Sequence, residues 1–369
     1  MQIISDTKDP LATAVRRETY RQFHRSADYW SGLKHSRVLL TGCSGLFGLW
    51  ILDLIDVANR ELGLDIQAGV LTRSRYQLLV RYPHLKQMSG LTPIEGDVRS
   101  FSIAGFTPTH LIHGATTSAA ETYGGETPIR KFDTLVSGTR HLFTLLRKGE
   151  IRSALFLSSG AVYGPPPGDS ADILESMPTA PLPGDTTAAL GHAKRAAEFL
   201  CNAYADELSI PLRVARCFAF SGAGVPMDLH YALGDFVRQA LIGNEIVVKG
   251  DGKAVRSYLH LGDMAIWLLR LLTDEDFSKP RTVNVGSSKG VSIRDLAHAV
   301  AKTVGTGAKV SVKGENDYSV GNPVRSCYVP STKLAKLYGL DEWTSLDDSL
   351  QNMINAAAYP SKKYKIKNK

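Results

Sequence analysis

Three glycines, Gly42, Gly45 and Gly48, are spaced three apart between a short apolar run, Val38 to Leu40, and an amphipathic run from Leu49 to Ala58. That spacing suits a phosphate. The first glycine allows a tight turn, the second lets the backbone approach a ligand, and the third lets a helix pack closely on a strand. A strand before the turn and a helix after it direct backbone N–H groups and a helix N-terminus at a pyrophosphate. The triplet alone discriminates poorly, because a chain with 33 glycines yields such spacings by chance; its flanks carry the reading. A second chemical group closes the next apolar stretch, Ile66 to Arg75, which ends Leu71-Thr72-Arg73-Ser74-Arg75. Dinucleotide-binding sheets place an acid near this strand end to hold the adenosine ribose hydroxyls. No acid stands here, and Arg73 and Arg75 are available to meet a 2′-phosphate, so the sequence leans toward NADP over NAD. The alternative for both is a solvated surface arginine.

These groups need strands and helices to hold them. A third strand, Leu91 to Ile94, runs into Gly96-Asp97-Val98, and a fourth, Leu111 to Thr117, has small residues that allow close approach to a flat ligand. His113 within it reads as a satisfied core histidine without a catalytic part. A helical stretch, Lys131 to Lys148, leads to a fifth strand, Ala154 to Tyr163, and the Pro- and Asp-rich segment from Pro165 to Asp185 reads as a long surface loop. A helix from Thr187 to Leu208 and a sixth strand, Leu212 to Phe218, follow. Later signals are a hairpin-like turn at Lys249–Gly252, a strand at Val283–Gly286, and a helix opened by Val291–Leu296 with Ser292 as N-cap. The alternation predicts an α/β fold built on a doubly wound parallel sheet. A smaller C-terminal α+β domain would lie over the strand ends and close a ligand cleft there. The expected division is an N-terminal extension at 1–35, a dinucleotide-binding domain at 36–217, a mainly substrate-binding domain at 218–357 with segments returning to the sheet, and a basic tail at 358–369. In the extension, Leu11, Val15, Tyr20, Phe23 and Tyr29 predict one or two helical turns docked on the body.

Composition narrows the partners. The net charge of +7 is concentrated at the end: Ser361–Lys369 holds five lysines and no acid, leaving 38 basic groups against 36 acidic elsewhere. A nearly neutral body gives no ground for a nucleic-acid or membrane partner, and the tail reads as a solvated end. Cys43, Cys201, Cys217 and Cys327 form no Cys-x-x-Cys pair, which argues against a zinc site or a disulfide framework. No metal is expected. With no apolar signal region and no run approaching about 18 apolar residues, a soluble cytoplasmic protein is the expectation.

Five motifs then occur in a recognisable order: Thr41-Gly-Cys-Ser-Gly-Leu-Phe-Gly48, Gly96-Asp97-Val98, His113-Gly-Ala115, Ser158-Ser-Gly-Ala-Val-Tyr-Gly164 and Val283-Asn-Val-Gly286. From about Ser36 to Ala357 the chain resembles the extended short-chain dehydrogenase/reductase superfamily, in its nucleotide-sugar epimerase/dehydratase branch. The resemblance implies a Rossmann domain for NAD(P) and a C-terminal part for a nucleoside-diphosphate sugar. It implies that Thr41, Gly42, Cys43, Ser44, Gly45, Leu46, Phe47 and Gly48 surround the pyrophosphate. Thr72, Arg73 and Arg75 would lie at the ribose, Asp97 and Val98 at the adenine, and Gly114, Ala115, Thr116 and Lys194 along the cofactor. Substrate contacts would come from Thr117, Ser159, Phe218 and Arg256, with Arg325 a weaker match of the same kind. Arginine suits the diphosphate because its fork donates two bonds to phosphate oxygens, although a surface arginine is the alternative reading at each position. Homodimers through two helices are a further expectation of the resemblance.

The family's chemistry uses a Ser or Thr, a Tyr, and a Lys four residues after the Tyr on a helix. Ser159 and Lys194 match the first and last. The tyrosine position is Leu190. In the family the phenol exchanges a proton while hydride moves at the sugar carbon, its pKa lowered from about 10 by the lysine and the nicotinamide charge. Leucine has no proton to exchange, and Ser159 as an unactivated alcohol is a poor base near neutral pH. His192 has a suitable pKa, but two residues along a helix is about 200° of rotation, away from the Lys194 face. Tyr163 belongs to the family pattern for structure, and replacement by a substrate group or a residue elsewhere stays open. Other departures are Ala219 for a common Asn, Pro330 for a common Asp, and Gly160-Ala161 for the Asp-Glu pair of dehydratases, which argues against ordinary 4,6-dehydration. The leading expectation is an atypical NAD(P)-dependent enzyme acting on a nucleoside-diphosphate sugar as epimerase, dehydratase or reductase. The alternatives are a catalytically silent homologue serving as regulator or scaffold, and an inactivated variant of an active enzyme.

Overall fold

The computed structural model describes residues 10–117, 121–122, 124–165, 172–227, 231–314 and 327–357. Seven parallel strands build its central sheet: β1 (Arg37–Thr41), β2 (Gln67–Thr72), β3 (Leu91–Glu95), β4 (His110–His113), β5 (Ser153–Ser159), β6 (Leu212–Cys217) and β7 (Thr282–Val285). Their spatial order is β7-β6-β5-β4-β1-β2-β3. The chain winds outward from β1 through β2 to β3, returns to the other side of β1 with β4, and winds outward again. This is the doubly wound sheet expected, and its direction reverses between β1 and β4, the point outside whose strand C-termini sheets of this kind bind their ligands in a crevice.

Because side chains alternate across a strand, each strand feeds two cores. Val38 and Leu40 of β1, Ala68 and Val70 of β2 and Leu155 of β5 face one side. There they meet α2 (Leu46–Leu62) and a later helix, Leu261–Thr273, around buried Trp50 and Trp267. Leu39, Leu111, Ala154 and Phe156 face the other side and meet α3 (Pro128–Thr144) and α4 (Ala189–Leu208). A third core joins the helices Ala232–Leu241, Ile293–Val304 and Leu346–Ala357 with the parallel strands Ile246–Val248 and Val310–Val312. Ser292 caps the helix at Ile293 as its sequence suggests, its hydroxyl accepting from the Asp295 N–H at 3.0 Å.

Several local expectations are corrected. The N-terminal helix α1 runs from Pro10 to Phe23, longer than one or two turns, and buries Val15 and Phe23 while Arg16 pairs with Asp53 and Asp56 of α2. The fifth strand stops at Ser159, not Tyr163, because the Ser159 hydroxyl accepts from the Ala161 N–H at 3.1 Å and coils Gly160–Tyr163 into a 3-10 turn. Lys249–Gly252 joins no hairpin: Ile246–Val248 pairs with Val310–Val312, and Val255–Arg256 pairs with Val291–Ser292 and Cys327–Tyr328. The described part of the loop after Pro165 is not all surface. Ile173 is fully buried beside Tyr163, and its backbone bonds both Val329 and Ser331. Residues 1–9, Arg325 and the tail from 358 lie outside the described residues.

Candidate functional site

The glycine turn joins β1 to α2 at the crevice, and its three glycines differ in what requires them. Gly42 has φ +75°, and a Cβ there would sit 2.3 Å from the Gly114 carbonyl carbon and oxygen and 2.4 Å from the Ala115 nitrogen. Gly48 is closed by its own turn, since its Cβ would lie 1.7 Å from the Cys43 carbonyl oxygen. Gly45 is the exception: among the described residues, its own chain neighbours apart, nothing comes nearer than 4.0 Å to its Cβ position. No packing constraint among the described residues demands glycine there, and its Cβ side is open. Gly45 is also the N-cap of the 17-residue α2, with no side-chain cap and no acid in the first turn. Intrahelical bonding begins at the Leu49 N–H, bonded to the Gly45 carbonyl at 3.1 Å, leaving the N–H groups of Leu46, Phe47 and Gly48 without an intrahelical acceptor. A pyrophosphate fits this cradle by charge and by shape.

The other residues of the turn are held from behind. Cys43 is buried, its thiol pushed up to about 12 by desolvation, so only its backbone can meet a ligand. Phe47 packs edge-on against Phe220 at 5.0 Å between centroids, Leu46 lies against Gly224 near Leu11, and Ser44 is half-buried. Thr41 donates to His113 Nδ1 at 2.6 Å. His113 Nε2 lies 2.8 Å from the Thr139 hydroxyl, whose proton goes to the Leu135 carbonyl. His113 therefore carries its proton on Nε2. Burial and the charge of Lys194 push its pKa down to about 3, so it is the satisfied core histidine the sequence suggests. After β4, Gly114 packs on Leu157, Ala115 is buried and Thr116 is exposed beside the crevice. Thr117 accepts from Lys131 Nζ at 2.6 Å, and Lys131 also bonds Thr122 and pairs with Glu126 at 2.7 Å.

Helix α4 brings Lys194 to the end of β5. Gly191 lets its first turn press against the Gly160–Tyr163 turn, because a Cβ there would fall 2.4 Å from the Ala161 carbonyl oxygen. Lys194 is 4 % exposed and donates to the Leu157 carbonyl at 2.6 Å, with Nζ 4.9 Å from the Phe156 ring centroid. Burial pushes its pKa down to about 8. Ser159 ends the same strand, and half-buried Leu190 is the residue one turn before Lys194 on the same helix face. His192 points elsewhere, with Nε2 3.1 Å from the Leu182 carbonyl. Tyr163 is no substitute phenol. It is buried, donates to Asn284 Oδ1 at 2.7 Å, and its pKa is raised by burial against the opposing charge of Arg216.

A buried polar network lies behind this site, and sequence reasoning missed it. Arg216 of β6 grips Glu198 of α4 through two bonds of 3.0 and 2.8 Å and donates to the Tyr163 hydroxyl at 2.9 Å. Ser158 donates to the same Glu198 carboxylate, and Asn284 of β7 bonds the Ile173 carbonyl at 2.8 Å. Burial opposes the charge of Arg216, but Glu198 holds its pKa above the usual range. Glu198 stands four residues after Lys194 on one helix face, the one available signal.

At the adenosine end the premise of two unmatched arginines fails for Arg73. Its guanidinium grips both carboxylate oxygens of Glu121, with NH2 to Oε2 at 3.1 Å. Asp97 is likewise held by Arg99, through Nε and NH2 at 2.8 Å each, and this lowers its pKa to about 2. Val98 is buried against Gly138, Thr72 donates to the Ser74 carbonyl at 3.1 Å, and Arg75 is exposed with its backbone N–H bonded to Glu95. Across the crevice, Phe218 sits over Gly160 and Gly286 and contacts Tyr163 and Tyr328 at 6.1 and 5.5 Å between ring centroids. Half-buried Arg256 lies in the short strand beside Tyr328, donating to the Val255 carbonyl at 2.7 Å.

Sheet order, glycine turn and uncapped helix define a dinucleotide-binding Rossmann protein. The chain belongs to the NAD dependent epimerase/dehydratase family, whose profile matches residues 38–286, and members of that family are enzymes. UDP-glucose 4-epimerase of Halalkalibacterium halodurans is 26 % identical over 345 residues, covering 87 % of this chain and 94 % of that protein. UDP-glucuronic acid decarboxylase 1 of Xenopus tropicalis is 28 % identical over 232 residues, 62 % of this chain, and the match spans only 52 % of that longer protein. Among solved structures, UDP-glucuronic acid 4-epimerase from Bacillus cereus, in complex with UDP-glucuronic acid and NAD, superposes with a TM-score of 0.71 at 18 % identity, covering 88 % of this chain and 100 % of that one. No helix among the described residues is long and apolar enough to cross a membrane.

Proposed function

We propose that this chain seats a nicotinamide dinucleotide across Gly42–Gly48 and modifies a nucleoside-diphosphate sugar in the adjoining crevice. The observation that carries the reading is Gly45, a glycine that no contact among the described residues requires, at the bare N-terminus of a long helix. When bound, the dinucleotide supplies a hydride acceptor and donor at a sugar carbon. Lys194 donates to a ribose hydroxyl, and Ser159 orients a hydroxyl of the sugar. Asp97 and Val98 border the adenine, and Thr116 and Thr117 border the cofactor and sugar. Phe218 and Arg256 bind the nucleotide of the substrate, with residues 36–217 serving mainly the cofactor and 218–357 mainly the sugar. The names of the relatives support a uridine-diphosphate sugar as the first substrate class to test.

Leu190 supports a second reading, a homologue that binds both ligands and turns over neither. The family's proton-exchanging phenol is absent from its position, and Tyr163 is locked to Asn284 and Arg216. One experiment decides. Mass spectrometry of the purified protein identifies copurifying ligands, and a panel of UDP-, dTDP-, CDP- and GDP-sugars is then screened for products. Turnover of any sugar supports the enzyme reading; binding of dinucleotide and sugar without turnover replaces it with the silent one.

A further inference from the structure

The arginine at the end of β2 meets a carboxylate from elsewhere in the chain. Glu121, in the segment that follows β4, reaches Arg73 at the C-terminus of β2, and both guanidinium nitrogens of its fork are taken. The pair is not a fold device. Arg73 is 65 % exposed and Glu121 25 %, and ion pairs that open to solvent add little to stability. Its position is what counts, for the end of β2 is where a Rossmann sheet meets the adenosine ribose. The next fork along the rim, Arg99, is committed to Asp97 in the same bidentate way, and Asp97 and Glu126 add further negative field at Arg73. Arg75 projects from the same turn with the Glu95 carboxylate at its backbone N–H.

We propose that Glu121 selects NAD over NADP: it occupies the Arg73 fork and sets a carboxylate where a 2′-phosphate would have to lie. The inference rests on the dinucleotide seat proposed above. A 2′-phosphate brings about 1.5 to 2 negative charges at neutral pH. To be held by Arg73 it must displace Glu121 and then remain beside the carboxylate it displaced. A ribose with free hydroxyls meets no such opposition, and its hydroxyls can donate to Glu121 as they do to the acid usually found on β2. Arg73 thus acts as the holder of a carboxylate rather than as a phosphate ligand.

The test is calorimetric titration of the full chain with NAD and with NADP, in the wild type, Glu121→Gln, and the double variant Glu121→Gln with Arg73→Met. The wild type is expected to bind NAD at least about tenfold more tightly than NADP, a charge-assisted contact being worth that much or more. Glu121→Gln frees the fork, so NADP binding should strengthen by about tenfold, and the double variant should lose that gain. A wild type that prefers NADP, or a ratio of the two affinities that Glu121→Gln leaves unchanged while both still bind, overturns the role of Glu121 alone. Failure of the wild type to bind either dinucleotide overturns the seat, and this inference with it. Melting curves of each variant separate a lost fold from a changed preference.

Discussion

Gly45→Ala separates a ligand-binding turn from a packing motif. The backbone at Gly45, φ −98° and ψ −164°, is open to alanine, and among the described residues the added methyl would meet no atom beyond its chain neighbours nearer than 4.0 Å. Stability should therefore fall by no more than about 1 kcal/mol, the cost of alanine at an N-cap. Any loss must come from the methyl meeting a bound pyrophosphate, which holds the backbone as closely as a hydrogen bond allows. Overpacking by one methyl costs about 1–3 kcal/mol, so the dissociation constant for the dinucleotide should rise by roughly 5- to 150-fold. Gly48→Ala is the control with the opposite signature. Its Cβ would overlap the Cys43 backbone, with the carbonyl oxygen at 1.7 Å, which should cost about 3 kcal/mol or more in folding stability before any ligand is added. Denaturant melts give the first quantity and calorimetric titration the second. Should Gly45→Ala bind the dinucleotide as well as the wild type, the turn is a strand-to-helix packing device and the seat proposed for it is wrong.

Three other perturbations address separate parts of the molecule. Leu190→Tyr restores a phenol one helical turn before Lys194 and should raise turnover of a responsive nucleotide sugar by about 10²-fold, the lower range for general acid–base catalysis; product analysis that finds no gain dismisses proton exchange as the missing element. Glu198→Gln leaves Arg216 charged, largely buried and facing a neutral amide, and should lower stability by about 2–4 kcal/mol in urea melts, whereas a change below about 0.5 kcal/mol would mean the network contributes no net stability. Asp53 is pushed up to about 6 by burial, opposed by Arg16 and assisted by Asp56. Between its ordinary value near 4 and about 6 the folded chain holds a proton that the unfolded chain has released. The contribution of this carboxyl to stability thus grows as the pH falls from 7 toward 4. Urea midpoints across that range should show a gain on acidification in the wild type relative to Asp53→Asn; parallel profiles would contradict the shifted titration.

What the sequence discloses and what it conceals follow from the range of the interactions. The sheet, the glycine turn and the Ser292 cap are written locally, in apolar runs and in side chains that bond within a few residues. The end of β5 was missed although its cause is local: Ala161-Val162-Tyr163 reads as a continuing strand, and the hydroxyl of Ser159 turns it aside. Long-range matches leave little trace. Arg73 looked uncommitted because Glu121 lies 48 residues away, and Arg216 looked ordinary until β6 brought it against Glu198 on α4. Ile173 sat in a stretch whose prolines and acids promised solvent, and only its pairing with Val329 and Ser331 explains why it is buried.

Leu190 acquires a narrower meaning in this setting. The proposed dinucleotide cradle is made by β1, α2 and the backbone after β4, whereas Leu190 belongs to α4. The contacts of the first turns of α4, Gly191 against Ala161 and Lys194 against Leu157, fall on β5 and the turn after it rather than on the cradle. Losing the phenol therefore leaves the cradle as it was. Lys194 needs a separate account, because a buried cation is costly unless its donors are used. Of its three donors one goes to the Leu157 carbonyl, and the face of Phe156 stabilises the charge. With no phenol beside it to activate, the lysine is best matched by a ligand hydroxyl. On the function proposed above, Leu190 thus removes a group that would move a proton and leaves the groups assigned to the dinucleotide in place.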